Sequence, residues 1–164
     1  MVKVVKFGGS SLASAEQFKK VGAIIRADET RRFVVPSAPG KRNAKDTKVT
    51  DMLYECYGIA EEGKGFAGKL GKIRDRYDSI IKGLDLTLSL DEEFQTITKN
   101  FKNKAGTDYA ASRGEYLNGI IMAAYLGYEF IDAAEVIRFD NDGNFLADET
   151  NQILAARLEH SESA

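Results

Sequence analysis

Apolar residues recur along this chain in two patterns, and each pattern predicts a different element. Val2, Val4, Val5 and Phe7 form a short β-branched run that stops at Gly8-Gly9-Ser10-Ser11, which reads as a buried strand feeding a glycine turn. Phe18, Val21, Ile24 and Ile25 follow at helical spacing and predict a helix over about 14–29. Phe33-Val34-Val35 reads as a second strand, and Pro36-Ser37-Ala38-Pro39-Gly40 after it is turn material. Strand, turn, helix, strand and turn in that order imply a parallel sheet with crossover helices.

Residues 41–48 are polar and charged and predict a mobile loop. Thr50-Asp51 then opens a helix with Val49, Met52, Leu53, Cys56 and Ile59 on one face. Phe66, Leu70, Ile73, Tyr77 and Ile80 step by 4, 3, 4 and 3, the cleanest helical spacing in the chain. Leu90, Phe94, Ile97 and Phe101 predict another helix, capped by Ser89 or Asp91. Three helices with no strand between them predict a helical layer over the sheet, at about 50–102. A further helix is expected over 108–127, with Tyr109, Leu117, Ile120, Ile121 and Ala124 inward and Gly127 as its C-cap. Phe130-Ile131 and Val136-Ile137-Arg138-Phe139 read as third and fourth strands. Asp140-Asn141-Asp142-Gly143 marks a turn, with Asn144 to Ala147 returning as a hairpin. Thr150 is expected to cap a last helix through Leu158, and residues 161–164 to be a frayed tail.

Composition narrows the function classes. With 164 residues, 43% hydrophobic and 29% charged, the chain can bury a sizeable core. A net charge of −2 with scattered Lys and Arg leaves no basic stripe for nucleic acid. No apolar run approaches the roughly 20 residues of a membrane span, and no signal-peptide core precedes the first strand. One cysteine, Cys56, and one histidine, His160, make a disulfide or a zinc site untenable and fit a reducing, cytoplasmic setting. Cys56 reads as core and His160 as solvated.

Four stretches carry candidate chemistry. In Lys6-Phe7-Gly8-Gly9-Ser10-Ser11 a strand ends, two glycines allow close approach of a ligand, and a helix begins. Free N–H groups there favour an anion, Lys6 adds a compact positive charge, and Ser10 and Ser11 add hydroxyls. The spacing fits neither the P-loop nor the dinucleotide fingerprint, and it leaves an anion site and a ligand-free tight turn equally open. Ser37-Ala38-Pro39-Gly40-Lys41 follows the second strand, so both turns would share the sheet edge where α/β ligands bind. Read alone it is an ordinary loop. Thr50-Asp51 reads as a helix N-cap. In Ser112-Arg113-Gly114-Glu115, a glycine that costs roughly 1 kcal/mol inside a helix suggests either close approach of something or a helix that starts there. Glu115 could bind an ammonium group, although a solvated Arg113–Glu115 pair explains the same residues. Asp140-Asn141-Asp142-Gly143 lacks the closing Glu of a calcium loop and is better read as a hairpin turn.

Taken together these segments resemble the aspartate kinases, within the amino-acid kinase family. The resemblance rests on Lys6-Phe7-Gly8-Gly9-Ser10-Ser11, on Val34 to Lys41, on Lys48-Val49-Thr50-Asp51-Met52-Leu53, on Ser112-Arg113-Gly114-Glu115 and on Phe130 to Ile137. It runs from residue 2 to about 158. It implies an α/β fold, a mainly parallel sheet flanked by helices as a three-layer sandwich, of which residues 1–160 would be the N-terminal portion. It implies ATP-dependent phosphorylation of the L-aspartate side-chain carboxylate, the first step toward lysine, threonine and methionine. In that reaction Lys6 would stabilise the phosphoryl group in flight. Gly8, Gly9 and Ser10 would line the phosphate path, with Ser10 meeting the aspartate carboxylate. Ser37 and Gly40 would form the nucleotide-side turn, Thr50 would help hold the substrate, and Glu115 would receive its α-ammonium group. ATP with Mg²⁺ would be the cofactors, and the full-length protein would be a homo-oligomer.

The family's later glycine-rich R-G-G-S-D-type segment, its nucleotide-side motifs and its ACT-type regulatory domains do not occur in these residues. The expectation is therefore a truncated chain, inactive or nearly so alone. Three other readings stay open: a kinase with a different carboxylate acceptor, a non-catalytic fragment that self-associates or pairs with a complementary chain, and a nucleotide-binding α/β domain of unrelated chemistry.

Overall fold

In the computed structural model, which describes residues 1–164, the chain runs β1 (Lys3–Phe7), a 3-10 turn (Gly9–Leu12), α1 (Ala15–Arg26) and β2 (Arg31–Pro36). It continues through α2 (Val49–Glu61), α3 (Ala67–Gly83), α4 (Asp91–Lys102), α5 (Thr107–Leu126), α6 (Ala133–Val136) and α7 (Ala147–Glu159). β1 and β2 are parallel, with Val4 opposite Phe33, Val5 opposite Val34 and Lys6 opposite Val35. α1 makes the crossover that parallel pairing requires, and it starts where Ser14 Oγ accepts from Gln17 N.

Strand alternation splits the sheet into two unlike faces. Val5, Phe7 and Val34 pack on the core. Val4 and Val35, on the other face, are 68% and 50% exposed. The core lies between the sheet and the helical layer α2–α4, with α5 touching β2, α1 and all three layer helices. The apolar stripes deliver what their spacing promises. Phe66, Leu70, Ile73, Tyr77 and Ile80 are all buried, as are Leu90, Phe94, Ile97 and Phe101. Cys56 is buried among them. α5 ends at Gly127 in the left-handed region (φ 73°). Ala124 turns outward, and Met122 and Asn118 are buried in its place. No helix is long and apolar enough to cross a membrane.

Residues 128–164 depart from expectation in their strands and caps, while the turn at 140–143 and a last helix, α7, form as expected. The sheet has two strands, not four. Phe130-Ile131 joins no strand, and the Phe130 ring packs edge-on against Tyr116 at 5.5 Å. Ala133 to Val136 is a helical turn, because Asp132 accepts from Ala134 N and good helix formers follow it. The hairpin reduces to one antiparallel bridge, Phe139 to Phe145, around the expected turn. Thr150 does not cap α7, which begins at Ala147; it is buried and its hydroxyl accepts from Arg138 N at 2.9 Å. Nor does a Ser89 or Asp91 side chain cap α4: its cap is Leu90, and Ser89 Oγ accepts from Asp91 N at 3.2 Å.

The tail is not frayed. Ala164 N donates to Arg32 O (3.0 Å) and Ala164 O accepts from Val34 N (2.8 Å), while Ser163 O accepts from Glu129 N (3.0 Å). A strand edge carries unpaired N–H and C=O groups, and Ala164 satisfies two of those of β2, while the Arg32 side chain donates to Glu162 O and Ser161 O. Lack of periodicity in four residues could not reveal a partner 130 positions away.

Candidate active site

Parallel neighbours end side by side, so the glycine turns after β1 and β2 meet. Ser37 N donates to Phe7 O (3.0 Å) and Gly40 N to Gly9 O (2.8 Å). No side chain fits between them. A Cβ on Gly9 would lie 2.7 Å from Ala38 O, and one on Gly40 would lie 2.6 Å from Gly9 C. The two glycines therefore serve backbone-to-backbone approach.

Two helices close on this turn. Val49 N donates to Pro39 O (3.0 Å), which seats the start of α2, with Thr50 in its first turn, beneath residues 36–40. α5 runs unbroken past Gly114, so the glycine is not a helix start. The approach it permits is that of the turn itself: a Cβ there would lie 2.8 Å from Ala38 Cβ and 3.9 Å from Thr50 Oγ1. One residue on, Glu115 Oε1 accepts from Ala38 N at 3.2 Å, and Oε2 has no partner in the chain. The solvated Arg113–Glu115 pair does not form. The Arg113 guanidinium stacks on Tyr109 and Tyr116, 4.6 and 4.4 Å from the ring centroids, and donates to Ser112 Oγ.

Gly8, Gly9, Ser10, Ser37, Gly40, Thr50 and Glu115 thus gather around the 36–40 turn. Lys6 is exposed at the carboxyl end of β1, opposite Val35 and on the face away from the core. No hydrogen bond or ion pair ties Lys6 to any residue of the chain, so its ammonium is free for a ligand. The site is an open sheet edge. A cavity of about 620 Å³ lies elsewhere, between α3 and α4, and none of these residues lines it. No group of three or more His, Cys, Asp or Glu side chains converges anywhere. The residues gathered at the turn include one carboxylate, Glu115, so they do not by themselves form a multi-carboxylate metal cage.

Sequence reasoning missed the residues that hold the turn. Asn118, buried on α5, donates from Nδ2 to Ser37 O at 2.7 Å, while its Oδ1 is buried without a partner. Tyr77 donates to Gly114 O at 2.8 Å. Burial pushes its hydroxyl pKa well up, and the nearby Glu115 carboxylate adds to this. Arg76 is 5% exposed and donates to Gly40 O (2.9 Å), Thr47 O (3.2 Å) and Asp46 Oδ2 (3.0 Å). Burial, then Arg42, pulls its pKa down, and Asp46 opposes this. Asp46 is held well below the usual carboxylate range, foremost by its hydrogen bond from Arg42. A signal existed: Arg76 stands three after Ile73 and four before Ile80, so the helical period puts this charge on the apolar stripe.

Comparison with known proteins places the family and the fold. A sequence model described as the amino acid kinase family matches residues 1–161. Aspartokinase 3 of Bacillus subtilis is 39% identical over 90% of this chain and 34% of its own length. The crystal structure of Clostridium acetobutylicum aspartate kinase superposes with a TM-score of 0.94 at 46% identity, covering 98% of this chain and 37% of that one. Escherichia coli aspartokinase III, in complex with aspartate and ADP, matches with a TM-score of 0.75 at 22% identity over 98% of this chain and 39% of that one, a likeness of fold. The chain spans about a third of the length of these relatives.

Proposed function

The chain belongs to the amino acid kinase family, and on that premise we propose that it forms the acceptor side of an aspartate kinase, which transfers the γ-phosphoryl group of ATP to the L-aspartate side-chain carboxylate. One observation carries the reading: Glu115, anchored by Ala38 N at 3.2 Å, keeps a second, unpartnered carboxylate oxygen at the 36–40 turn. An α-ammonium group needs such an acceptor. The free ammonium of Lys6 and the turn at Gly8, Gly9 and Ser10 suit the opposite charge, a phosphate in transfer. Ser37 and Gly40 complete the nucleotide-side turn.

The chemistry fits a site without a general base. A carboxylate oxygen attacks the γ-phosphorus, the bond to the β,γ-bridging oxygen breaks, and ADP leaves with the electron pair. The acceptor is already ionised, so no proton has to move. Positioning and charge neutralisation do most of the work in such transfers. Mg²⁺ bound with the nucleotide phosphates would neutralise phosphate charge. A cytoplasmic setting belongs to the same proposal.

The test is ADP formation by the protein that carries this chain, with L-aspartate, L-glutamate or N-acetylglutamate as acceptor. Aspartate should be preferred, and Lys6→Met should lower kcat by a factor of about 10² to 10³. Preference for another carboxylate would contradict the acceptor assignment. A second reading, an assembling fragment, draws on the uncovered Val4 and Val35. It would show as self-association in light scattering, abolished by Val4→Glu.

A further inference from the structure

Residues 40–48 form a loop whose ends are held together by one side chain from outside the site. Its neck is the Val49 N to Pro39 O bond of 3.0 Å. Beside the neck, the Arg76 guanidinium donates to the carbonyl at one end, Gly40, and at the other, Thr47. It also reaches Asp46, which in turn accepts from Arg42 N and its guanidinium at 2.7–3.0 Å. A compact loop with close ends is an Ω-loop. Lys41, Lys45 and Lys48 on it are exposed.

Arg76 is buried with its Nε unpartnered. Buried ion pairs are often no more stabilising than the apolar residues that could replace them, so stability alone does not account for it. What the guanidinium holds is backbone on both sides of the site: Gly40, which touches the first glycine turn, and Thr47, which leads into Thr50. We propose that Arg76 is a positioning residue that clamps the 40–48 loop and so fixes Thr50 beside Gly114 and the 36–40 turn. This rests on the aspartate kinase reading, in which Thr50 meets the amino-acid substrate.

The test uses the protein that carries this chain, with Arg76→Met. In the ligand-free protein, the amides of 41–49 should exchange with deuterium at least about tenfold faster, while those of α4 stay unchanged. In steady state the KM for L-aspartate should rise about tenfold with kcat within about threefold, while the KM for ATP, which Gly40 would serve, rises less than that for aspartate. Combined with Thr50→Ala, Arg76→Met should add less than about twofold, because the two act through one contact. Should Arg76→Met not fold, Asp46→Asn, which removes one clamp partner, should give the same pattern at smaller size. Faster exchange in 41–49 with an unchanged aspartate KM would overturn the positioning role and leave the kinase reading intact. Wild-type protein that phosphorylates no aspartate would sink the kinase reading, and the exchange measurement would still decide whether Arg76 closes the loop.

Discussion

Two glycine-bearing turns in this molecule are built in opposite ways. The turn at 140–143 is satisfied from within: Asp140 accepts from Asp142 N, Asn144 N and Asn144 Nδ2 at 2.8–2.9 Å, and the whole turn is exposed. The turn at 36–40 is satisfied from elsewhere. Its polar backbone atoms go to Phe7, Gly9, Val49, Arg76, Glu115 and Asn118, which come from five other segments. A turn that carries its own hydrogen bonds is only a link between elements. A turn whose hydrogen bonds are all long-range is where the fold converges, and the candidate site is the surface it creates.

If that contrast is sound, substitutions at the two turns should differ sharply. The largest effect is expected at Gly40→Ala, where the new methyl meets the Gly9 backbone at 2.6 Å and neither side is a flexible side chain. Overpacking of this kind should cost about 3 kcal/mol in denaturant unfolding. A loss no greater than that of an exposed Gly→Ala would break the comparison.

The next effect depends on pH. Asp46, held by Arg42 and Arg76, has a folded-state pKa below its usual value. It therefore contributes stability that is present above its unfolded pKa near 4 and is lost as pH falls below that. Asp46→Asn should lower Tm by on the order of 5 °C at neutral pH. The gap from wild type should stay constant from about pH 8 to 5 and close below about pH 4. A gap that widened in acid would contradict the assignment. The smallest effect is expected at Asp140→Ala, which opens a turn touching nothing else and should move Tm by about 2 °C or less.

The same contrast explains what could be read in advance. The apolar stripes of α3 and α4 were legible because helical burial repeats every three to four residues, and each stripe is buried along its whole length. The Asp140 turn was legible because its bonds span at most four residues. Phe130-Ile131 and Val136-Ile137 were misread because short β-branched runs fit strands on propensity alone, and an adjacent cap at Asp132 decided the second of them locally. Of the site, the glycine turns, Thr50 and Glu115 were visible as residue types in suggestive places, and a family resemblance joined them. What holds them was not visible, since Arg76 to Gly40 spans 36 positions and Asn118 to Ser37 spans 81.

The central claim is that Glu115, anchored on the 36–40 turn, presents a free oxygen to an amino acid's ammonium group. Isothermal titration of the folded 164-residue chain with L-aspartate tests it most directly. The account predicts that the chain binds aspartate and that Glu115→Gln weakens binding at least about tenfold, through loss of a charge-assisted hydrogen bond. A folded chain that binds no aspartate, or a Glu115→Gln chain that binds it equally well, would contradict the account.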